Sequence, residues 1–290
     1  MIKILGTGLT GLVGSRIVEL LSSKYSFENI SRATGIDITD YQSVEQSIKK
    51  SEAEIVLHAA AFTDVKLAEK EKDLKEKSQC YRINVLGTEN VTRACELLGK
   101  KIIFFSTDMV VGGDTYPKGG FKEDADYNPL SWYSVTKAAA EKVVKKTSSP
   151  WLVMRLAYPY RAKFEKLDFV RLFIQMLREG KTITALTDRI ISPTFIDDVA
   201  NALDVLIESN STGLYNTVGS EKLNIYDAAM FISKIFNLDS SLIHKTTRRE
   251  FLIDRPPEPF SSALNNDKIQ ELGARMHTFQ EGLKILKDQI

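Results

Sequence analysis

A glycine-rich turn near the start of the chain constrains its fold more than any other feature. Residues 4–16 read ILGTGLTGLVGSR and carry two overlapping patterns, Gly6-x-Gly8-x-x-Gly11 and Gly8-x-x-Gly11-x-x-Gly14. The turn follows a short apolar run and precedes apolar residues at helical spacing. In a strand–turn–helix of this kind, backbone amides come close to a pyrophosphate that larger side chains would keep away. The sequence therefore predicts a dinucleotide-binding turn.

The first half of the chain alternates between strand-like and helix-like stretches. Apolar runs typical of buried strands occur at residues 2–5, 54–61, 101–106 and 151–156, and helical spacing occurs at 9–22, 81–98 and 131–146. Continuous apolar strands that alternate with helices are typical of a parallel sheet covered on both faces. We predict an α/β fold, a doubly wound parallel sheet of the Rossmann type.

The alternation weakens after residue 157, and residues 240–259 look irregular. We therefore expect a smaller, discontinuous substrate-binding lobe. The predicted dinucleotide-binding domain comprises residues 1–157 plus 191–217, and the predicted lobe comprises residues 158–190 plus 218–290.

Composition excludes several classes of partner. Thirty-nine Lys and Arg balance 38 Asp and Glu, which argues against a dedicated nucleic-acid binder. No apolar stretch is long enough for a membrane span, and glycines interrupt the apolar N-terminal stretch, so we expect no signal peptide and no membrane partner. Cys80 and Cys95 cannot build a disulfide framework, which favours a reducing, cytoplasmic location. His58, His244 and His277 are scattered, so we expect no metal site.

A tyrosine and a lysine four residues apart form the candidate catalytic pair. In Tyr133-Ser-Val-Thr-Lys137 the two side chains share one helix face. A free tyrosine has a pKa near ~10, and a nearby ammonium is expected to lower it. The phenol could then give a proton to a carbonyl or take one from an alcohol. The alternative is an ordinary pair on a helix surface.

Two further positions carry chemistry on their own. Thr107 follows the strand at residues 101–106, so its hydroxyl is expected in the crevice where parallel sheets bind ligands. A turn or capping role for Thr107 and Asp108 is the alternative. Arg32 follows the second strand, predicted at residues 25–30, where an acidic residue would select NAD. Arg32 could instead accept a 2′-phosphate, which favours NADP(H) and leaves NAD(H) open.

Together these residues resemble a known family. Gly8-x-x-Gly11-x-x-Gly14, Thr107 and Tyr133-x-x-x-Lys137 are similar, in order and spacing, to the extended short-chain dehydrogenase/reductases. Further blocks resemble the dTDP-4-dehydrorhamnose reductase branch: residues 37–40 (DITD), 59–64 (AAAFTD), 84–88 (NVLGT), 106–108 (STD), 193–194 with Asp198, and Arg255-Pro256 with Leu264 and Lys268.

The resemblance implies an NAD(P)H-dependent oxidoreductase of a nucleotide-linked 4-keto-deoxysugar, as in dTDP-rhamnose biosynthesis. It implies Tyr133 as proton donor, Lys137 as its modulator and ribose contact, and Thr107 as the hydroxyl that holds the carbonyl. The expected cofactor-binding residues are Gly8, Thr10, Gly11, Leu12, Val13, Gly14, Arg32, Asp37, Ile38, Ala59, Ala60, Ala61, Asn84, Tyr133 and Lys137. The expected substrate-binding residues are Thr107, Asp108, Met109, Tyr158, Arg189 and Arg255; the arginines are expected to grip a diphosphate, with surface ion pairs as the alternative.

The chain departs from the family pattern on the expected substrate side. Met109 replaces a tyrosine, Tyr158 replaces a tryptophan, and Ile191 replaces a glycine. These changes leave the identity of the sugar open. They also leave open an epimerase or dehydratase on the same scaffold and a regulatory subunit resembling the β-subunit of methionine adenosyltransferase. A dehydratase would need a glutamate where Met109 stands. A homodimer remains open as well.

Overall fold

The structure, a computed structural model, describes residues 1–290. Its strands are β1 (Ile2–Thr7), β2 (Tyr25–Ile30), β3 (Ile55–His58), β4 (Lys101–Thr107), β5 (Trp151–Leu156), β6 (Pro159–Tyr160), β7 (Ile183–Leu186), β8 (Ile190–Ile191), β9 (Thr194–Phe195), β10 (Gly213–Asn216), β11 (Leu223–Asn224) and β12 (Ile243–Thr246). Its α-helices are α1 (Leu12–Leu21), α2 (Tyr41–Lys50), α3 (Val65–Lys70), α4 (Gln79–Tyr81), α5 (Gly87–Leu97), α6 (Trp132–Lys146), α7 (Phe169–Arg178), α8 (Ile196–Glu208), α9 (Ile225–Phe236), α10 (Arg248–Phe251), α11 (Asp267–Glu271) and α12 (Phe279–Gln289). None of the helices is both long and apolar enough to cross a membrane.

The chain forms two compact units. The first comprises Met1–Val110, Pro129–Arg155 and Leu206–Tyr215, and the second comprises Val111–Asn128, Leu156–Val205 and Asn216–Ile290. These bounds differ from the expected ones because residues 111–128 and 191–205 group with the second unit. Residues 111–128 do so through backbone bridges from Gly113 to Ser261 and from Phe121 to Leu264, pairings with no local sequence signal. Which unit binds cofactor and which binds substrate stays a prediction.

A six-stranded sheet in the order β10-β5-β4-β3-β1-β2 is the framework of the first unit. β1 lies between β2 and β3 and runs parallel to both, and β3 runs parallel to β4. The chain therefore moves outward from β1 to β2 and then reverses direction across the sheet to β3. In open α/β sheets, ligands bind at such a reversal, beyond the carboxyl ends of the strands. The prediction of an α/β, doubly wound sheet is confirmed.

Burial explains why these strands form. All four residues of β3 and all seven of β4 are buried, as expected for strands covered on both faces. Apolar residues from three helices pack into the same core, including Val44 of α2, Val91 of α5 and Val144 of α6. The core thereby fixes the strand ends at which the glycine turn, Thr107 and the 59–61 segment begin.

The second unit has a separate apolar core and three two-stranded sheets: β11 with β8, β12 with β7, and β6 with β9. Its core is aromatic. Tyr160 lies edge-on to Phe279 at 5.4 Å between ring centroids, and Phe169 stacks on Phe279 at 6.0 Å. The segment at 240–259, expected to be irregular, contains the short strand β12 and the short helix α10.

Candidate active site

The glycine turn packs tightly against the backbone of the first unit. Gly8 adopts a left-handed conformation with φ of 71°, and a Cβ there would lie 2.5 Å from the Ala60 nitrogen. A Cβ on Gly14 would lie 2.7 Å from the Gly8 carbonyl oxygen. Both glycines are therefore required by close contacts within the protein, whether or not a ligand is bound.

Gly11 has a different role. Its conformation is extended, with φ of −76°, and a Cβ at this position would meet only the Gly8 oxygen, at 3.2 Å. Gly11 is the N-cap of α1, no side chain caps this helix end, and the first turn holds no acidic residue. Thr10 and Gly11 are exposed, and Leu12 and Val13 are partly exposed. The helix N-terminus, with its partial positive charge, is thus open to an anion.

Arg32 lies just beyond β2, as expected. The predicted bounds of β2, residues 25–30, match the structure. Arg32 is exposed, and its Nε donates to Asp37 at 3.2 Å. Asp37 also accepts from the Thr39 amide and hydroxyl, and these bonds lower the pKa of its carboxyl. Ile38 is buried, and its carbonyl accepts from Asn90 of α5 at 2.9 Å.

The segment after β3 is fixed by hydrogen bonds to β1 and to the π-helical turn Arg82–Leu86. The Ala59 and Ala60 amides donate to the Thr7 carbonyl and hydroxyl at 3.0 and 3.1 Å. Asn84 accepts from the Phe62 amide at 2.8 Å and donates to the Phe62 carbonyl at 3.1 Å. Ala59, Ala60 and Ala61 thus follow the strand next to the glycine turn, all partly exposed.

The three predicted catalytic residues all lie in the first unit, and two of them, Thr107 and Tyr133, are in contact. Thr107 ends β4, its hydroxyl donates to Asp108 at 3.1 Å, and the Thr107 side chain hydrogen-bonds Tyr133 of α6. The hydroxyl also accepts from the Met109 amide at 3.3 Å. Met109 packs against the apolar cluster that contains Tyr133. Thr107 and Tyr133 are each 8% exposed, so little water reaches the pair.

The expected lowering of the Tyr133 pKa is wrong for the protein alone. Burial raises this pKa well above its ordinary value, and the charge of Asp108 raises it further; the hydrogen bond with Thr107 opposes them. Lys137 does not offset the burial, because its own pKa of about 7 leaves it uncharged at the pH at which the phenol would ionise. Its Nζ donates to the Phe105 carbonyl at 2.7 Å. Tyr133 is consequently a neutral phenol, the form that can donate a proton.

Lys137 is deeply buried on the same helix. It is 2% exposed, and Nζ lies 4.0 Å from the centroid of the Phe104 ring. Burial lowers the Lys137 pKa to about 7, while Glu141 raises it. A buried lysine that changes charge near neutral pH is typical of a functional site.

Sequence reasoning missed two buried groups in this unit. His58 bridges β1 and α5, with Nδ1 2.7 Å from the Thr7 hydroxyl and Nε2 3.0 Å from the Thr88 hydroxyl. Burial lowers the pKa of His58 to about 3, so the ring is neutral. The other group is Glu141, paired with Arg155 of β5. Its signal was present, because Glu141 follows Lys137 by four residues as Lys137 follows Tyr133.

The remaining predicted substrate residues belong to the second unit. Tyr158 has φ of 44°, unusual for a bulky residue, and its ring lies edge-on to Phe169. Arg189 is buried, and its guanidinium donates to Glu258 at 2.9 Å, to the Ile190 carbonyl and to Ser262. Arg255 is exposed and lies over the Phe251 ring at 3.9 Å. Substrate binding by these three residues stays a prediction, and the protein contacts of Arg189 favour a structural role for it.

The geometry of the first unit suits the binding of a dinucleotide. The Gly8 and Gly14 contacts hold the turn closed, Gly11 leaves room at an uncapped helix end, and Arg32 lies exposed after β2. The positive helix end and the guanidinium suit a pyrophosphate and a further phosphate.

Comparison with known proteins places the chain in a family. The family described as RmlD substrate binding domain matches residues 2–290. A dTDP-4-dehydrorhamnose reductase of Aggregatibacter actinomycetemcomitans is 26% identical, over 99% of this chain and 99% of that protein. Methionine adenosyltransferase 2 subunit beta of Xenopus laevis is 25% identical, over 96% of this chain and 85% of that protein. The solved dTDP-4-dehydrorhamnose reductase of Bacillus anthracis, in complex with NADP, aligns with a TM-score of 0.90 and 27% identity over 100% of both chains. The chain belongs to the RmlD substrate binding domain family.

Proposed function

We propose that this protein is an NAD(P)H-dependent reductase of a nucleotide-linked 4-keto-deoxysugar, similar to dTDP-4-dehydrorhamnose reductase. The observation that carries this function is the hydrogen-bonded pair of Thr107 and Tyr133 beside buried Lys137, in the same unit as the open glycine turn. The similarity to reductases over nearly the full chain supports it.

The bound reduced nicotinamide would supply the hydride. Tyr133 gives its proton to the oxygen of the ketone, and its raised pKa ensures that the proton is present at neutral pH. The Thr107 hydroxyl, which donates its single proton to Asp108 in the protein alone, would turn to donate a hydrogen bond to the same oxygen and polarise the carbonyl. Lys137 holds positive charge near the phenol as negative charge develops there. The low exposure of Thr107 and Tyr133 strengthens both hydrogen bonds.

We infer that NADP(H) is the preferred cofactor. Arg32 is exposed beyond β2, where an acidic side chain would repel a 2′-phosphate, and Ser31 precedes it. The bacillary relative was solved with NADP, which supports the same choice. The turn residues Gly8, Gly11 and Gly14 and the amides of Leu12 and Val13 would hold the pyrophosphate.

The test is consumption of NADPH by the purified protein with dTDP-4-dehydrorhamnose and other nucleotide-linked 4-ketosugars. We expect stoichiometric oxidation, and we expect Tyr133→Phe to reduce kcat by at least about 100-fold because the proton donor is lost. NADPH affinity should stay within about twofold of the wild type, measured by fluorescence titration. Full activity of Tyr133→Phe would contradict the assignment of the proton donor.

A regulatory subunit is the second candidate, because the chain is also 25% identical to methionine adenosyltransferase 2 subunit beta. A pull-down with and without NADP(H) separates the two. Stoichiometric capture of an enzyme partner without turnover of any ketosugar would favour the subunit.

Interconversion of two sugars without net loss of NADPH would instead indicate an epimerase. We also propose that the reductase is cytoplasmic and that its partner is a nucleotide sugar. Size-exclusion chromatography would show whether it is a homodimer.

A further inference from the structure

A fully buried ion pair lies toward the C-terminal end of α6, the helix that carries Tyr133 and Lys137. Arg155 of β5 donates from Nε to Glu141 Oε1 at 3.0 Å and from Nη2 to Oε2 at 2.9 Å. The two side chains are 1% and 0% exposed. Removing two charges from water carries a large desolvation cost, and an apolar pair of similar volume often serves stability equally well. The position of this pair therefore calls for a role beyond stability.

Glu141, the helical member of the pair, lies on the same face of α6 as Tyr133 and Lys137. Tyr133, Lys137 and Glu141 follow one another at intervals of four residues on α6, so their side chains line up along one face. Glu141 is the only acidic residue of α6. The fork-shaped guanidinium of Arg155 holds both carboxylate oxygens and therefore fixes the orientation of this anion.

Of the two groups that raise the Lys137 pKa, Glu141 and Cys80, only Glu141 carries a negative charge at neutral pH. His58 on β3 is neutral because burial lowers its pKa to about 3. Burial also raises the pKa of the Cys80 thiol on α4 and of the Tyr133 phenol, so both keep their protons. Asp108 acts on Tyr133. Glu141 is thus the carboxylate that opposes the effect of burial on the Lys137 ammonium.

We propose that Glu141 and Arg155 form a positioning element of the active site: Arg155 fixes the Glu141 carboxylate, and the carboxylate keeps Lys137 charged and in place on the Phe105 carbonyl. The consequence for turnover rests on the proposed function. The effect on the charge of Lys137 does not, and it can be measured without substrate.

The decisive measurement is an NMR titration of the full-length protein with isotope-labelled lysine, in which Lys137→Met identifies the Lys137 signal. A unit charge about 6 Å away, at an effective dielectric of about 20, shifts a pKa by about two units, and the opposite charge of Arg155 offsets part of this. We expect Glu141→Gln to lower the titration midpoint of Lys137 by about one pH unit. The control is Glu89→Gln, which neutralises an exposed carboxylate on α5, and it should leave the midpoint unchanged.

A double variant covers the case in which Glu141→Gln fails to fold. Glu141→Met with Arg155→Met replaces both charges by apolar groups and leaves no unpaired ion. A smaller downward shift of the Lys137 midpoint in this variant supports the role, and an unchanged or higher midpoint in either folded variant overturns it.

Turnover then separates this role from the proposed function. In an active reductase, activity should fall as pH rises and Lys137 loses its charge. Glu141→Gln should show this fall at a lower pH than the wild type, with kcat reduced more than NADPH affinity. A shifted midpoint in a protein that reduces no ketosugar would keep the role of the pair and refute the reductase. If the enzyme is active but the Lys137 midpoint does not move in Glu141→Gln, the reductase is kept and the role of the ion pair is refuted.

Discussion

Replacing Gly11 by valine should separate cofactor binding from folding. Gly11 is exposed, its backbone is extended, and its Cβ position meets only the Gly8 oxygen at 3.2 Å. A β-branched side chain suits this conformation, and the N-cap position makes no side-chain bond that could be lost. The valine methyl groups would instead occupy the space in front of the first turn of α1.

The magnitudes follow from this geometry. Valine is a poorer N-cap than glycine, so we expect a loss of unfolding free energy of at most about 1 kcal/mol. Excluding an anion from the helix end removes about two charge-assisted hydrogen bonds of at least ~1.5 kcal/mol each, which weakens NADPH binding by at least about 100-fold. Stability is measured by urea unfolding and affinity by fluorescence titration.

Gly14→Ala is the comparison variant for stability, because its new methyl group would meet the protein backbone and not the open end of α1. Its Cβ would lie 2.7 Å from both the Gly8 oxygen and the Leu9 Cα, atoms of the backbone that cannot move aside cheaply. We expect a stability loss of about 1–3 kcal/mol. If Gly11→Val bound NADPH as tightly as the wild type, the glycine turn would not be the pyrophosphate site; if it unfolded, the space inferred at Gly11 would not exist.

Three further predictions concern other parts of the molecule. Arg32→Ala should weaken NADPH binding by about 10- to 100-fold and leave NADH binding unchanged, since one charge-assisted contact to the extra phosphate is lost; equal weakening of both cofactors would exclude that contact. His58→Gln should make the unfolding free energy less sensitive to acid. In the wild type, the unfolded chain protonates His58 below about pH 6.5, but the folded chain does so only near pH 3. The stability that neutral His58 contributes is therefore lost as pH falls through this window. Urea unfolding near pH 7 and pH 5 measures this, and an equal change in unfolding free energy between the two pH values in variant and wild type would refute it. Gly282→Ala should destabilise the second unit by about 1–3 kcal/mol, because the Cβ would approach the hydroxyl of buried Tyr160, and an unchanged melting temperature would contradict this.

The sequence predicted the features that depend on short-range patterns. The glycine turn, the buried strand β4 and the helix α6 each follow from apolar spacing and turn residues within about 15 positions. The N-cap of α6, Ser131, has the capping box that such a helix start requires. Thr107 and Tyr133 come together because parallel strands end at one edge of the sheet and α6 lies against β4.

The features that sequence reasoning missed depend on contacts between different elements. His58 lies 30 positions before Thr88, whereas Arg155 is only 14 positions from Glu141, but a pairing of a strand residue with a helix residue leaves no periodic signal in the sequence. The grouping of residues 111–128 with the second unit also rests on pairing with Ser261. An exposed and a buried arginine look alike in a sequence, so the sequence could not show that the Arg189 guanidinium donates to Glu258 and Ser262.

Burial has opposite consequences for the two titratable members of the candidate catalytic group. It raises the pKa of Tyr133, which secures the neutral phenol that a reduction consumes, and it lowers the pKa of Lys137 to about 7, which threatens the ammonium that a developing phenolate needs. In a site open to water, the Lys137 pKa would stay near its ordinary value, but the Tyr133 pKa would be raised less. A carboxylate one helical turn away, anchored by a buried guanidinium, offsets the loss at Lys137 without rehydrating Tyr133. The low exposure of Tyr133 and the buried pair of Glu141 and Arg155 therefore act together: the first keeps the phenol protonated, and the second keeps Lys137 charged.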